Sequence, residues 1–424
     1  MRRVRIVWHC EDRVGAEMAG PGVRVVELAR RLAGRHEVTV VAPGATSLGG
    51  EPFRAAEPAL LRPALQGADA FVAQGFKFPL RLAWRFPGRF VLDLYDPVQL
   101  EQLVQFGPAP SPDQRISLAH VRARLLALLR RADHVLCASA PQRAFWLGWL
   151  ASVGRLSPAA LAGDPDARRL IAIVPFGIPD APPAAAGAPL RSLPGISTGE
   201  PVALFWGGLW DWMDPGLAVR ALAELRRAGR RVHLVFLGGS RPGGDTMRSA
   251  AAEASAAVTE LGLRDRVHFL DRWVPYADRG AVLLDADVAV TAHRASVEAE
   301  LAFRTRLLDC LWAGLPPACT HGDVLADEAA REGWGAVAEP GDAAGLARAI
   351  GSLLEPGARN RARDAMRPAV ERYRWSRSAA VLLDLLDRPP ALRSSALIPG
   401  EAVGERPGAV LAALGRKLLD RIGS

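Results

Sequence analysis

The chain predicts an α/β protein of two domains, each a doubly wound parallel sheet. Three observations carry this. The length is 424 residues, more than one core usually organises and suited to two domains of about 200. Short apolar runs of strand type alternate from the start with stretches of helical period, which calls for parallel strands and crossover helices. That alternation occurs twice, on either side of a segment (180–201) rich in Pro, Ala, Gly and Ser and without periodicity, which reads as an interdomain linker.

In order along the chain, residues 4–8 read as the first strand. A glycine-containing loop and an amphipathic helix over 23–32 follow, with Val23, Val26 and Leu32 on its apolar side. Further strands are expected at 38–42, 70–73, 90–94, 134–138 and 171–175. The second series has strands at 202–206, 232–237, 267–270, 288–291, 317–320 and 336–338, with helices at 215–228 and 304–313 among them. Later helices cover 342–354 and 360–373. The expected division is a first domain over 1–185, a linker over 186–200 and a second domain over 201–373. A helix over about 374–388 is expected to pack back on the first domain. The tail, 389–424, is rich in Pro, Gly and Ser and ends in a basic amphipathic piece over 410–422. In doubly wound sheets ligands bind at the carboxyl ends of the strands, so two facing domains imply a cleft between them.

Half of the residues are hydrophobic, enough for large cores, and the net charge is +8. All but Lys77 and Lys417 of the 53 basic residues are arginine, as a GC-rich coding sequence gives. No zinc spacing, helix-turn-helix signal or RNA-binding motif accompanies the charge, so nucleic acid is not an expected partner. Cys10, Cys137, Cys310 and Cys319 stand singly, without the clustering of a disulfide framework or a zinc site, and are expected reduced and buried. The start lacks the apolar core of a signal peptide, and no apolar run reaches 18 residues. A cytoplasmic protein is expected.

Two segments are candidates for chemistry. Gly20-Pro21-Gly22 lies between a strand and a helix, where glycine lets backbone approach a ligand and the helix start offers free N–H groups to an anion. It reads equally as a tight turn. The passage Glu298-Ala-Glu-Leu-Ala-Phe-Arg-Thr-Arg-Leu-Leu-Asp-Cys-Leu-Trp-Ala-Gly-Leu-Pro316 puts Arg304 and Arg306 at the start of an apolar helix, with Asp309 further along. Two forked guanidiniums at a helix amino end suit a diphosphate, and a carboxylate suits vicinal ribose hydroxyls. The alternative is a solvated Arg–Asp network on a helix surface. Asp93-Leu-Tyr-Asp96-Pro, at a strand end, is expected to point into the cleft, or else to be a turn with Asp capping the backbone. Glu101 and His9 are fainter candidates. Trp206, Trp210 and Trp212 read as cleft wall or as aromatic core.

The passage around Asp309 resembles the nucleotide-binding region of retaining glycosyltransferase family 4, where a carboxylate stands a few residues before a small-Gly-x-Pro strand entry. The likeness runs in order through 1–385. Met18-Ala-Gly-Pro-Gly-Val-Arg24 looks like the family's amino-terminal donor loop, and Ala203-Leu-Phe-Trp-Gly-Gly-Leu-Trp-Asp-Trp-Met-Asp-Pro215 like the opening of its second domain. Phe236-Leu-Gly238, Trp273-Val-Pro-Tyr276 and Pro340-Gly-Asp342 follow in sequence. The resemblance implies a GT-B fold of two facing Rossmann-like domains. It further implies a donor site of Gly20, Gly22, Gly208, Trp273, Val274, Arg304, Thr305, Arg306 and Asp309, with the last on ribose. Catalytic carboxylates are implied at Asp96, Glu298 and Asp93. A nucleotide-sugar would be the donor, with no cofactor and no metal, and the acceptor a glycan, a lipid-linked or a small molecule.

The chain departs from the family at two places. The first of the family's paired glutamates would fall at 301, which is Leu here, leaving Glu298 or Glu300, of which Glu298 is favoured. The Arg and Lys that often hold the diphosphate after the second domain's first strand are replaced by Trp210-Asp-Trp-Met213, so Arg304 and Arg306 are expected to carry that charge. Two aromatic and arginine-rich stretches, 76–90 and 120–131, fit either contact with an anionic membrane surface or core helices with Arg-covered faces. The rival readings of function are a sugar-nucleotide epimerase on the same scaffold and a non-catalytic nucleotide-binding or scaffolding protein.

Overall fold

A computed structural model describes residues 3–238 and 249–388. The tail over 389–424, with its basic piece over 410–422, lies outside the described residues. The first sheet comprises β1 (Arg5–His9), β2 (Glu37–Val41), β3 (Arg54–Ala56), β4 (Ala70–Gln74), β5 (Arg89–Asp93), β6 (His134–Cys137) and β7 (Ile171–Ile173). All are parallel, in the spatial order β3-β2-β1-β4-β5-β6-β7. The second comprises β8 (Val202–Trp206), β9 (His233–Leu237), β10 (Val267–Leu270), β11 (Val288–Thr291), β12 (Pro317–Thr320) and β13 (Ala336–Ala338), also parallel, in the order β10-β9-β8-β11-β12-β13.

The central strands are apolar on both faces because helices cover both, and β4, β6 and β9 are buried at every position. β3 is the strand absent from the sequence reading. It is a three-residue edge strand, Arg-Ala-Ala, partly exposed throughout, and has no apolar run to announce it.

Helix α1 (Gly20–Ala33) begins three residues before its expected start, with Pro21 in the first turn, where a missing N–H leaves no bond unmade. The helices used below are α2 (Val98–Phe106), α3 (Pro112–Arg131), α4 (Val297–Leu301), α5 (Thr305–Ala313) and α6 (Trp375–Asp387). The chain returns to the first domain at its described end. Trp375 donates its N–H to Ile178 O at 2.9 Å, and Arg89 Nη1 donates to Leu385 O and Leu386 O, both at 2.8 Å. An apolar cluster runs from α1 through Trp375 and Leu382 to Phe303, Leu307 and Trp334, so the halves share buried surface.

The phenylalanines of the aromatic stretch 76–90 are core residues. Phe76, Phe78, Phe86 and Phe90 are buried together against Phe71, and Arg124 donates to the carbonyls of Phe76 and Phe78. In α3, Val121, Leu125, Leu128 and Leu129 face that core while Arg122 and Arg130 are exposed. The four phenylalanines of this stretch are therefore taken up by the core. No helix among the described residues is long and apolar enough to cross a membrane.

Strand order reverses between β1 and β4 in the first sheet and between β8 and β11 in the second. The loops leaving β1, β4, β8 and β11 at their carboxyl ends therefore diverge and leave crevices.

Candidate active site

One pocket draws its walls from both domains. The first contributes Met18, Gly20 and Phe176. The second contributes the Trp206–Gly207–Gly208 turn after β8, together with Trp273, Val274, Arg279, Thr305, Arg306 and Asp309. Of the expected donor residues, Gly20, Gly208, Trp273, Val274, Thr305, Arg306 and Asp309 thus meet in one place. α5 supplies three of them because its first turn ends at the cleft while Leu307, Leu308 and Leu311 anchor the opposite face in the core.

Arg306 donates through Nη1 to Trp206 O at 2.8 Å and through Nη2 to Gly208 O at 3.2 Å. Burial pulls its guanidinium down to about 9, with Arg304 adding repulsion. It remains charged at neutral pH, and an incoming anion would relieve both effects. Asp309 accepts from Arg279 Nε at 2.9 Å and from Trp206 Nε1 at 3.0 Å.

Three expected site residues stand elsewhere. Arg304 turns away from the pocket and pairs with Glu298 at 2.7 Å, the side chains being 9% and 1% exposed. A desolvated guanidinium takes a carboxylate within reach, and Glu298 lies one short helix back. Gly22 is a packing glycine, since a Cβ there would lie 2.8 Å from Arg13 O and 3.2 Å from Met18 Cβ. Asp93 stands outside this pocket, at the wall of a first-domain pocket, and is not free to meet a ligand. Both its oxygens are held by Arg24, at 2.8 and 3.0 Å, with neither side chain exposed. Arg24 also donates to Pro175 O, so this pair ties α1 to the sheet and fixes the first domain's cleft edge.

A second pocket lies in the first domain, lined by Glu11, Gln74, Lys77, Tyr95, Asp96, Glu101 and Gln102 among others. Burial raises Asp96 to about 7, against a hydrogen bond from the Tyr95 hydroxyl and the nearby Arg24 charge, with Asp93 and Glu298 adding to the rise. Burial also raises Glu101 well above the carboxylate range, with Asp96 and Glu298 adding repulsion. Asp96, Glu101 and Glu298 therefore feel one another across the domain boundary. Gln142 crosses the same boundary, donating Nε2 to Leu301 O at 2.9 Å. Such mutual repulsion in a desolvated place is characteristic of carboxylates kept for chemistry. His9, by contrast, is buried with its ring against Phe78, and desolvation lowers it to about 4. It is a core residue.

Sequence reasoning missed Arg279 and Tyr276, which line the pocket, and His293. His293 follows β11, is buried with neither ring nitrogen partnered, and is held well below its ordinary value by burial and by the charges of Arg304 and Arg306. None has a spacing signature. Arg279 is one arginine in an arginine-rich chain, and His293 stands alone after an apolar strand.

Residues 200–356 match the family model described as "Glycosyl transferases group 1", which covers the second sheet and every donor residue named there. No curated protein matches the chain. Among solved structures, HepE of Anabaena, in complex with UDP and glucose, aligns at TM-score 0.64 with 16% identity, over 91% of this chain and 100% of that one. Sucrose-phosphate synthase of Thermosynechococcus elongatus aligns at 0.63 with 18% identity, over 91% and 98%. A glycosyltransferase of Rickettsia africae aligns at 0.61 with 12% identity, over 92% and 100%. The fold is GT-B: two parallel-sheet α/β domains across a cleft.

Proposed function

We propose that this chain is a glycosyltransferase that moves a sugar from a nucleoside-diphosphate sugar to an acceptor hydroxyl, with retention at the anomeric carbon and without a metal. The observation that carries the reading is the pocket in which Asp309, Arg306, Thr305 and the start of α5 converge opposite Gly20 of the other domain. The diphosphate would lie against the amino end of α5, where unpaired N–H groups and the Arg306 charge favour an anion. Asp309 would accept from the ribose hydroxyls. HepE, captured with UDP and glucose, supports a nucleotide-sugar as the donor.

The reaction breaks the bond between the anomeric carbon and the β-phosphate oxygen and forms one to the acceptor oxygen, whose proton passes to the departing diphosphate. Charge grows on the leaving group, so Arg306 and the helix start stabilise the transition state more than the ground state. Asp96, held near 7 at the wall of the first-domain pocket, would orient the acceptor hydroxyl. Glu298 and Arg304 form a buried pair behind it, so the substrate-side diphosphate charge falls mainly to Arg306. The basis for retention is the resemblance to family 4.

A thermal-shift panel of UDP-, GDP-, TDP- and ADP-sugars tests the reading, since a bound donor raises Tm with the logarithm of its concentration over Kd. One donor should stand out. Arg306→Ala should then raise its KM or lower kcat by about 10-fold or more, roughly 1.4 kcal/mol, and EDTA should leave turnover unchanged. No stabilisation by any donor, or unchanged kinetics in Arg306→Ala, contradicts the assignment. Isomerised sugar from donor alone would favour an epimerase.

A further inference from the structure

Asp309 is held from outside its own helix, and the manner of holding is unusual for a pocket wall. Its Oδ1 accepts from Arg279 Nε at 2.9 Å and its Oδ2 from Trp206 Nε1 at 3.0 Å. Arg279 is only 5% exposed, and its guanidinium lies between two rings, 3.7 Å from the centroid of Tyr276 and 4.2 Å from that of Trp312. Each of the two residues is tied in turn. The Tyr276 N–H donates to Ala16 O of the first domain at 3.0 Å. Trp312 Nε1 donates to Ala181 O, at the head of the linker, at 2.7 Å. Among the described residues lining this pocket, Asp309 is the one carboxylate, so a vicinal diol entering here has one strong acceptor.

We propose that Arg279 is the positioning residue that presents Asp309 to a ribose diol, and so sets this site's preference for ribonucleotides over deoxyribonucleotides. The proposal rests on the reading of Asp309 as the ribose acceptor. A carboxylate has about four acceptor positions. Arg279 and Trp206 take one on each oxygen, which fixes the carboxylate plane and leaves the remaining lone pairs aimed in set directions. A diol then meets an acceptor that does not have to be ordered on binding. The planar, stacked guanidinium is what makes the arrangement rigid. Lysine would keep the charge but could neither fork nor fill the slot between the rings. Because Tyr276 is bonded to Ala16 and Trp312 to Ala181, the rigidity is shared with the first domain and the linker. Sugar-ring selection thus depends on contacts at the cleft edge as well as on the pocket.

The test is calorimetric titration of the full chain with UDP against 2′-deoxy-UDP and with GDP against 2′-deoxy-GDP, judged on the better-bound base. The wild type should bind the ribonucleotide at least about 10-fold more tightly. Arg279→Lys should bring that ratio below about threefold while leaving deoxynucleotide affinity within about threefold of wild type, and Asp309→Asn should do the same. Arg279→Met, close in length and free of charge, gives a second reading of the ratio should the lysine variant fold poorly. A wild-type ratio that survives in the Arg279 variants overturns the proposal alone. Equal loss for both nucleotides also overturns it, because that is what a merely structural role gives. A wild type that binds both sugars equally removes the ribose reading of Asp309 and the proposal with it, and one that binds neither nucleotide removes the donor site itself.

Discussion

Asp96 is the residue at which the site's electrostatics become measurable. It is part-buried beside Tyr95, in range of Asp93 and Glu298, and stands near 7 where an unfolded chain would have it near 3.8. A carboxyl whose folded value is raised binds its proton more tightly in the native state. Its contribution to stability is therefore full below about 4 and is lost as pH rises through about 7. Asp96→Asn does not titrate. Its stability relative to wild type should rise between pH 5 and pH 8 by on the order of 1–2 kcal/mol, allowing for the hydration that a part-exposed carboxylate keeps. Urea unfolding at the two pH values measures this, and a pH-independent difference would show that Asp96 is not desolvated. Legibility at this scale followed chain order. Asp309, Arg306 and Gly20 meet in one pocket as expected, because each sits within the opening turns of a helix whose place in the fold follows from chain order. Arg304, Gly22 and Asp93 fall outside that pocket because their partners, namely Glu298, the Arg13 carbonyl and Arg24, are fixed only by the fold.

Among the elements, the turn after β8 borders the proposed donor pocket. Trp206 and Gly208 supply the carbonyls that accept from Arg306, with Gly207 between them, and Gly238, just after β9, packs directly beneath this turn. A Cβ on Gly238 would lie 2.4 Å from the Gly207 carbonyl and 2.7 Å from Gly208 N, closer than any contact allows, and both partners are backbone. Gly238→Ala should therefore displace the turn that receives Arg306. The expected result is at least a 10-fold rise in donor KM with a loss of stability of about 1–3 kcal/mol. Unchanged KM in steady-state kinetics would mean that the turn does not set the phosphate site. Elements of the second sheet were read from sequence almost to the residue, since β8, β10, β11, β12 and β13 are apolar runs bounded by turn residues. β3 escaped because it is short, at an edge and half polar. The helix starts were shifted where Pro21 concealed the first turn.

At the scale of the whole molecule, the excess of positive charge has a structural use. Many of the arginines clamp carbonyls at loop ends: Arg131 on Ala83 and Phe86, Arg155 on Ala132, and Arg226 on Leu261 and Gly262. Arg24 and Arg306 do the same while bordering the cleft. Guanidinium is suited to this work because its donors lie in a rigid plane. Net charge is therefore a poor guide to partners here, while the duplicated alternation of strands and helices was a good guide to architecture. What the alternation could not convey is how the halves are joined. That depends on α6 returning to α1, on Trp312 meeting the linker and on Tyr276 meeting Ala16, each a contact between residues far apart in the chain.

The central claim is that a nucleoside diphosphate lies at the amino end of α5 with its ribose on Asp309. A crystal structure of the full chain soaked or grown with UDP tests it most directly. The account predicts both ribose hydroxyls within hydrogen-bond distance of the Asp309 carboxylate, with Arg279 still stacked behind it and phosphate oxygens at Thr305 N and Arg306. A nucleotide bound elsewhere, or one whose ribose leaves Asp309 bonded only to Arg279 and Trp206, would contradict it.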